Sequence, residues 1–330
     1  MPSARRFARS CVAEQRLARR NANFITALVV RSYPLGTLTA DGVPDRRSHT
    51  SRPPAAARGD ARSHGEGDMS RQRHPEFRWL ERGEGEPVVL LHGLMGHMDH
   101  WDATLEALAP SARLFAPELP LFDPTFHDVS LAAFADYVRV FLDALGIGRA
   151  VVGGNSLGGH IALELAIRCP ERVAGLVLTG SSGLLERSFT RGVPRRPTTA
   201  YVREKMEEIF YDTGLVTETW VDAVQQTVTT PASALRVVKI ARAARTRTLE
   251  PLLAGIQAPA LLIWGENDRI TPPDVAARFH ALLGRSALVL LPRCGHAPML
   301  EQPEAFNGAL RDWLVATRAL RGVTMPAEVA

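Results

Sequence analysis

Ser156 lies in Gly154-Asn155-Ser156-Leu157-Gly158, a G-x-S-x-G pentapeptide with one more glycine, Gly159, behind it. A serine hydroxyl is a poor nucleophile until a base takes its proton, and a tight turn between strand and helix is what exposes such a hydroxyl. His296, in "LPRCGHAPMLEQPEAF", is the candidate base. Asp268, in "LLIWGENDRITPPDVA", is the candidate carboxylate to orient it, with Glu266 as a competitor. A serine, a base and an orienting carboxylate, each just beyond a strand end, would suit acyl transfer through a covalent intermediate. Such chemistry also needs donors for a developing oxyanion. Leu157 would open a helix, leaving its N–H free for that purpose, and "LLHGLMGHMDHW" supplies a second glycine-bounded loop. The Leu94 N–H is the expected second donor, with Met95 as the fallback. His97 and His100, in the same loop, are candidates to line a pocket. Two histidines three apart are too few for a metal site, and no metal is expected.

The elements that must carry these residues alternate along the chain. "PVVLLHG" (87–93) reads as a buried strand and "WDATLEALAP" (101–110) as a helix. "RLFAPELP" is strand-like, and "SLAAFADYVRVFLDALG" (130–146) is a serine-capped amphipathic helix closed by glycine. "AVVGG" then leads into the serine turn, "LGGHIALELAIRCP" is helical, and "VAGLVLTG" is a strand. A strand at 258–265, a helix at 272–283, a strand at 286–292 and a helix from 303 to about 317 complete the series. Apolar strands separated by helices call for a mostly parallel sheet covered on both faces. The block 182–251 contains helical stretches and no strand, so it is expected to form a helical cap over one end of the sheet. Trp101, Phe122 and Met299 are candidates for an apolar pocket beneath it. Arg195 and Arg196, in "TRGVPRRPTTAYVREK", are candidates to bind a substrate carboxylate, because a guanidinium pairs bidentately with one.

Charge is distributed unevenly. Residues 1–75 hold 14 arginines against 6 acids, and the remainder holds 25 basic against 29 acidic residues. The body of the chain is therefore mildly acidic, which argues against a nucleic-acid partner. Lys205 and Lys239 are the only lysines and no GxxxxGK[ST] motif occurs, so phosphate cradling is disfavoured as well. Residues 1–73, rich in Arg, Pro, Gly and Ser, read as a disordered leader and linker, with organelle targeting as the alternative. The functional chain is expected to start near Met69, the hydrolytic domain to span 74–322, and 323–330 to be a flexible tail. Three widely spaced cysteines suggest no disulfide framework and fit a cytoplasmic location. No apolar run reaches membrane-spanning length.

Taken together, "LHGLMG", "GNSLGG", "GENDRITP" and "CGHAPMLEQPE" resemble the α/β-hydrolase superfamily over about Phe77 to Leu320. The resemblance implies an α/β fold with an eight-stranded, mostly parallel sheet and a cap after the sixth strand. It makes Ser156 the nucleophile, Asp268 the acid, His296 the base, and the Leu94 and Leu157 amides the oxyanion hole, with no cofactor. Members have two antiparallel strands ahead of the "HG" strand, whereas only "EFRWLERGEG" is available here. The first strand is therefore expected to be short or absent. Serine at 156 separates the chain from haloalkane dehalogenases and epoxide hydrolases, which carry aspartate there. "GNSLGG" is similar to the elbow of hydrolases that cleave carbon–carbon bonds in ring-fission products. Those enzymes carry a tryptophan after the histidine and an "HGxGPG"-like loop, where this chain has Ala297 and "HGLMGH". The expectation is a carboxylesterase-like serine hydrolase of a small ester or related acyl substrate. The alternatives are a carbon–carbon hydrolase of a diketone acid, a cofactor-free haloperoxidase-like enzyme, and a non-catalytic binding module.

Overall fold

The computed structural model describes residues 70–74, 77–184 and 197–322. Eight strands form one sheet: β1 (Ser70–His74), β2 (Phe77–Arg82), β3 (Pro87–Leu91), β4 (Arg113–Pro117), β5 (Ala150–Asn155), β6 (Val173–Thr179), β7 (Ala260–Gly265) and β8 (Ser286–Leu291). Their order across the sheet is β1-β2-β4-β3-β5-β6-β7-β8. The β1–β2 and β2–β4 pairs are antiparallel and all the others are parallel.

The strand sequences show why both faces are covered. In β3, Val89 and Leu91 enter one core while Val88 and Leu90 enter the other, and β7 divides Leu262 and Trp264 from Leu261 and Ile263 in the same way. Period-two alternation between two apolar faces produces the unbroken hydrophobic runs seen in the sequence. Helices α2 (Leu131–Ala144), α3 (Leu157–Arg168) and α7 (Pro273–Leu282) cover the first face. Helices α1 (Asp102–Leu108) and α9 (Pro303–Gly322) cover the second, where Trp101 packs against Phe306 with ring centroids 6.0 Å apart. A four-residue helix, α8 (Pro298–Glu301), precedes α9.

The start of the sheet requires a correction. β1 begins at Ser70, so the boundary expected at residue 73 falls inside it, and the first strand is present, although short. Its sequence, SRQRH, has no apolar alternation to mark it. The strand is specified by its register with β2, from Ser70 opposite Glu81 to His74 opposite Phe77. A polar sequence suits a sheet edge, where apolar unpaired backbone would invite aggregation.

Between β6 and β7 the described residues form helices and no strand: α4 (Thr199–Glu207), α5 (Glu218–Val228) and α6 (Pro231–Thr246). Each is capped by a threonine, Thr198, Thr217 or Thr230, whose hydroxyl accepts a first-turn N–H. Two arginines dock α6 on the body. Arg236 donates to the carbonyls of Pro120, Leu121 and Phe126, and Arg247 forks onto the buried Glu164 carboxylate of α3 at 3.0 and 3.2 Å. The cap is therefore tied both to the loop after β4 and to the helix that follows Ser156. Among the described residues no helix is long and apolar enough to cross a membrane.

Candidate active site

Ser156 occupies the junction between β5 and α3 with φ 55° and ψ −116°, a conformation that costs a non-glycine residue on the order of 1–3 kcal/mol. Its backbone is held on both sides. The Ser156 N–H donates to the Thr179 carbonyl at 3.0 Å, and the Ser156 carbonyl accepts from the His160 and Ser182 amides, each at 3.2 Å. The flanking glycines serve close packing. A Cβ at Gly154 would lie 2.5 Å from the Gly158 carbonyl carbon, and one at Gly158 would strike the Leu91 carbonyl. Strand β3, strand β5 and helix α3 can meet here only without side chains.

Asp268 and His296 lie beyond the C-terminal ends of β7 and β8, at the same edge of the sheet as Ser156. The Asp268 Oδ2 is 2.8 Å from His296 Nδ1. The Asp268 carboxylate also accepts the Ile270 and Thr271 amides at 2.8 and 2.9 Å and the Thr271 hydroxyl at 2.9 Å. Four donors therefore hold one buried carboxylate, which fixes the imidazole edge that faces it and leaves Nε2 as the other ring nitrogen. Glu266, the competing acid, is exposed.

The histidine loop is braced independently. Asn155 Nδ2 donates to the His296 carbonyl at 2.8 Å and to the Thr179 carbonyl at 3.1 Å. The His296 amide donates to the cap residue Ile209 at 2.6 Å. Glu301 accepts from the Gly295 amide with one carboxylate oxygen and from the cap residue Asp212 with the other. Gly180, at φ 53°, leaves room for the imidazole, since a Cβ there would lie 2.7 Å from His296 Nδ1.

Ser156 and His296 border one cavity of about 120 Å³, together with Leu94, Met95 and Leu157. Among the described residues no hydrogen bond joins the Ser156 hydroxyl to His296, and catalytic hydrogen bonds often tighten only when substrate binds. Leu94 and Met95 sit in a turn closed by the Gly96 amide on the Gly93 carbonyl at 3.0 Å. His92 secures that turn. Its Nε2 accepts from the Leu119 amide at 3.0 Å, so its Nδ1 carries the proton and donates to the Gly93 carbonyl at 2.9 Å. Leu157 is the first residue of α3, where an amide lacks an intrahelical partner and the helix dipole is positive.

The pocket candidates divide. His100 and Met299 line the cavity, with the His100 ring edge-on to Trp220 at 5.4 Å. His97 does not line it. This residue starts a helical turn, accepting the Asp99 amide at 3.3 Å, and its Nε2 lies 3.0 Å from Glu118. Trp101 is fully buried in the core under α9, and Phe122 packs against the core rather than the cavity. Arg195 and Arg196 lie outside the described residues. Other cap residues complete the wall, among them Met206, Ile209, Phe210, Val224 and Arg245.

Two buried histidines, His92 and His160, and the half-buried His100 give the protein a definite response to acid. Burial pushes His160 and His100 down to about 4 and lowers His92 as well, each from 6.5. Between about pH 6.5 and pH 4 the unfolded chain binds more protons at these sites than the folded one, so stability is complete above that window and declines as pH falls through it. Melting temperature should therefore drop steadily from about pH 7 to about pH 4, and less steeply in H160Q. A melting temperature that is flat over this range would contradict the neutral state of these rings.

Residues 88–309 match a model of the alpha/beta hydrolase family. The pimeloyl-[acyl-carrier protein] methyl ester esterase of Nitrosomonas europaea is 34% identical, over 68% of this chain and 94% of that protein. A 2-hydroxy-6-oxononadienedioate/2-hydroxy-6-oxononatrienedioate hydrolase of Pseudomonas putida is 31% identical over 76% and 93%. The acetyltransferase component of a Pseudomonas putida acetoin cleaving system is 32% identical, but the chain spans only 64% of its length. Among solved structures, an alpha/beta hydrolase enzyme from the sediment metagenome of the Mar Chica lagoon, Morocco, superimposes with a TM-score of 0.62 at 34% identity, over 74% of this chain and 98% of that one. With its capped sheet and the match over most of its length, the chain belongs to the alpha/beta hydrolase family.

Proposed function

We propose that this enzyme is a serine hydrolase that forms an acyl-enzyme at Ser156, and that its substrate is a carboxylate-bearing diketone of ring-fission type, cleaved at a carbon–carbon bond. The observation that carries the catalytic part is the strained Ser156 turn in one cavity with an Asp268-bound imidazole. His296 Nε2 takes the Ser156 proton as Oγ attacks the carbonyl carbon. The oxyanion forms in reach of the Leu94 and Leu157 amides. The carbon–carbon bond then breaks, the departing carbon keeps the electron pair, and His296 returns the proton to it. Water, deprotonated by the same imidazole, releases the acid and restores Ser156.

Two findings support the diketone acid. A relative with this named substrate type is 31% identical over most of both chains. In addition, Arg245 of α6 is the one lysine or arginine among the described residues lining the cavity, placed where it can meet a carboxylate. A carboxylic ester is the second reading, favoured by the esterase relative and by Ala297, which stands where the carbon–carbon hydrolases carry tryptophan.

The test compares a vinylogous diketone acid with p-nitrophenyl esters on wild type and R245Q. Loss of the arginine should raise KM for the diketone acid by about tenfold, the size of a charge-assisted hydrogen bond, and leave KM for neutral esters near wild type. Faster turnover of esters than of the diketone acid, with no effect of R245Q on either, would assign the ester reading instead.

A further inference from the structure

The cap segment 209–212, just after α4, lies directly against the loop that carries His296. The His296 amide donates to the Ile209 carbonyl at 2.6 Å. Gly295 makes this approach possible, because a Cβ there would strike the Ile209 carbonyl and lie 2.9 Å from the Phe210 backbone. Glu301, half-buried at the end of α8, closes the same joint from the other side. Its Oε2 accepts the Gly295 amide, and its Oε1 accepts the Asp212 amide at 2.6 Å. One carboxylate thus spans two segments, and both of its partners are backbone groups, which no rotamer change can swing away. The body holds the opposite side of His296, where Asn155 Nδ2 donates to its carbonyl at 2.8 Å. The cap side of this joint is also cavity wall, since Ile209 and Phe210 line the space beside Ser156.

We infer that Glu301 is a positioning residue that couples the place of the cap to the alignment of His296. This rests on the reading of His296 as the base that activates Ser156. A displacement of residues 209–212 pulls on the His296 amide through Ile209 and on the Gly295 amide through Glu301, while Asn155 keeps the His296 carbonyl in place. The peptide units around the imidazole then rotate, and Nε2 shifts relative to Ser156. A misplacement of about 1 Å at a reacting group costs on the order of 10²-fold in rate. A substrate that packs on Ile209 and Phe210 presses on the backbone that holds the base. Fit under the cap and readiness of the base are therefore set together.

The experiment times fluorophosphonate labelling of Ser156 in wild type, E301Q, H296A and the E301Q/H296A double variant, and follows amide hydrogen exchange by NMR in wild type and E301Q. Glutamine keeps the shape of Glu301 but has a single acceptor oxygen, so its NH2 meets one of the two amides donor to donor. Labelling should slow about tenfold in E301Q, the size of a charge-assisted hydrogen bond. Adding E301Q to H296A should slow it by no more than about twofold, because the effect passes through the imidazole. The His296 amide, whose bond to Ile209 the substitution leaves untouched, should exchange about tenfold faster, together with the Asp212 amide. E304Q, at a neighbouring exposed glutamate, should match wild type in both readouts. Labelling of E301Q at the wild-type rate, equal slowing with and without His296, or exchange that rises at Gly295 alone would overturn the inference. Should E301Q not fold, D212P deletes the cap-side amide without altering the histidine loop, and should give the same slowing and the same faster exchange at His296. An unlabelled Ser156 in wild type would instead refute the acyl-enzyme reading, and the exchange measurement would still decide the coupling.

Discussion

Replacing Ser156 with alanine should lower kcat by at least about 10³-fold while leaving the fold intact. The backbone supports this expectation. The turn is held by amide and carbonyl hydrogen bonds to Thr179, His160 and Ser182, none of which uses the hydroxyl. Deleting the oxygen therefore removes the candidate nucleophile without disturbing what positions it. Melting curves should superimpose on wild type, and steady-state kinetics should show the loss in kcat rather than in KM. Hydrolysis near the wild-type rate would remove Ser156 from the mechanism.

The second large effect belongs to Asp268. D268N preserves the shape of the side chain but can present an amide N–H where the carboxylate now faces His296 Nδ1. The imidazole would then favour the tautomer that carries its proton on Nε2, toward Ser156, and could no longer accept. The expected cost is on the order of 10²–10⁴-fold in kcat. Two features raise the effect above that of a surface carboxylate: Asp268 is 4% exposed, and it accepts from the Ile270 and Thr271 amides besides the imidazole. Glu266 is the control. It lies two residues earlier with the same charge but is exposed, and E266Q should keep kcat within about threefold of wild type, as surface changes do. A crippled E266Q beside an active D268N would move the acid to Glu266 and leave the rest of the site standing.

Much of this arrangement is legible in the sequence because it is local. The glycines around Ser156 read as a strand–turn–helix junction from the pentapeptide alone, although part of their cause is the distant Leu91 carbonyl, and the strands read as apolar runs because both faces of the sheet are covered. Asp268 and His296 could be placed because each follows a recognisable strand. Features that depend on docking between distant segments were not legible. His97 and His100 are three residues apart in one loop, yet one turns out to Glu118 and the other turns in to Trp220. Trp101 and Phe122 have the composition of pocket residues, but α9 and the core claim them. The cavity arginine among the described residues is Arg245, whose orientation depends on how α6 is pinned by Arg236 and Arg247. Of the braces on the histidine loop, Asn155 and Glu301 lie within the motifs that carry Ser156 and His296, but Ile209 reaches the loop from the cap, with no motif to announce it. β1 was hidden for the opposite reason, since a polar edge strand carries no hydrophobic period at all.

The central claim is that Ser156 is a nucleophile activated by His296. Peptide mass spectrometry after treatment with a fluorophosphonate probe tests it directly. The predicted result is one adduct, on the peptide that carries Ser156, absent in S156A and formed at least about 10²-fold more slowly in H296A, the usual contribution of a positioned general base. An unmodified Ser156 in folded wild-type protein, or labelling of H296A at the wild-type rate, would contradict it.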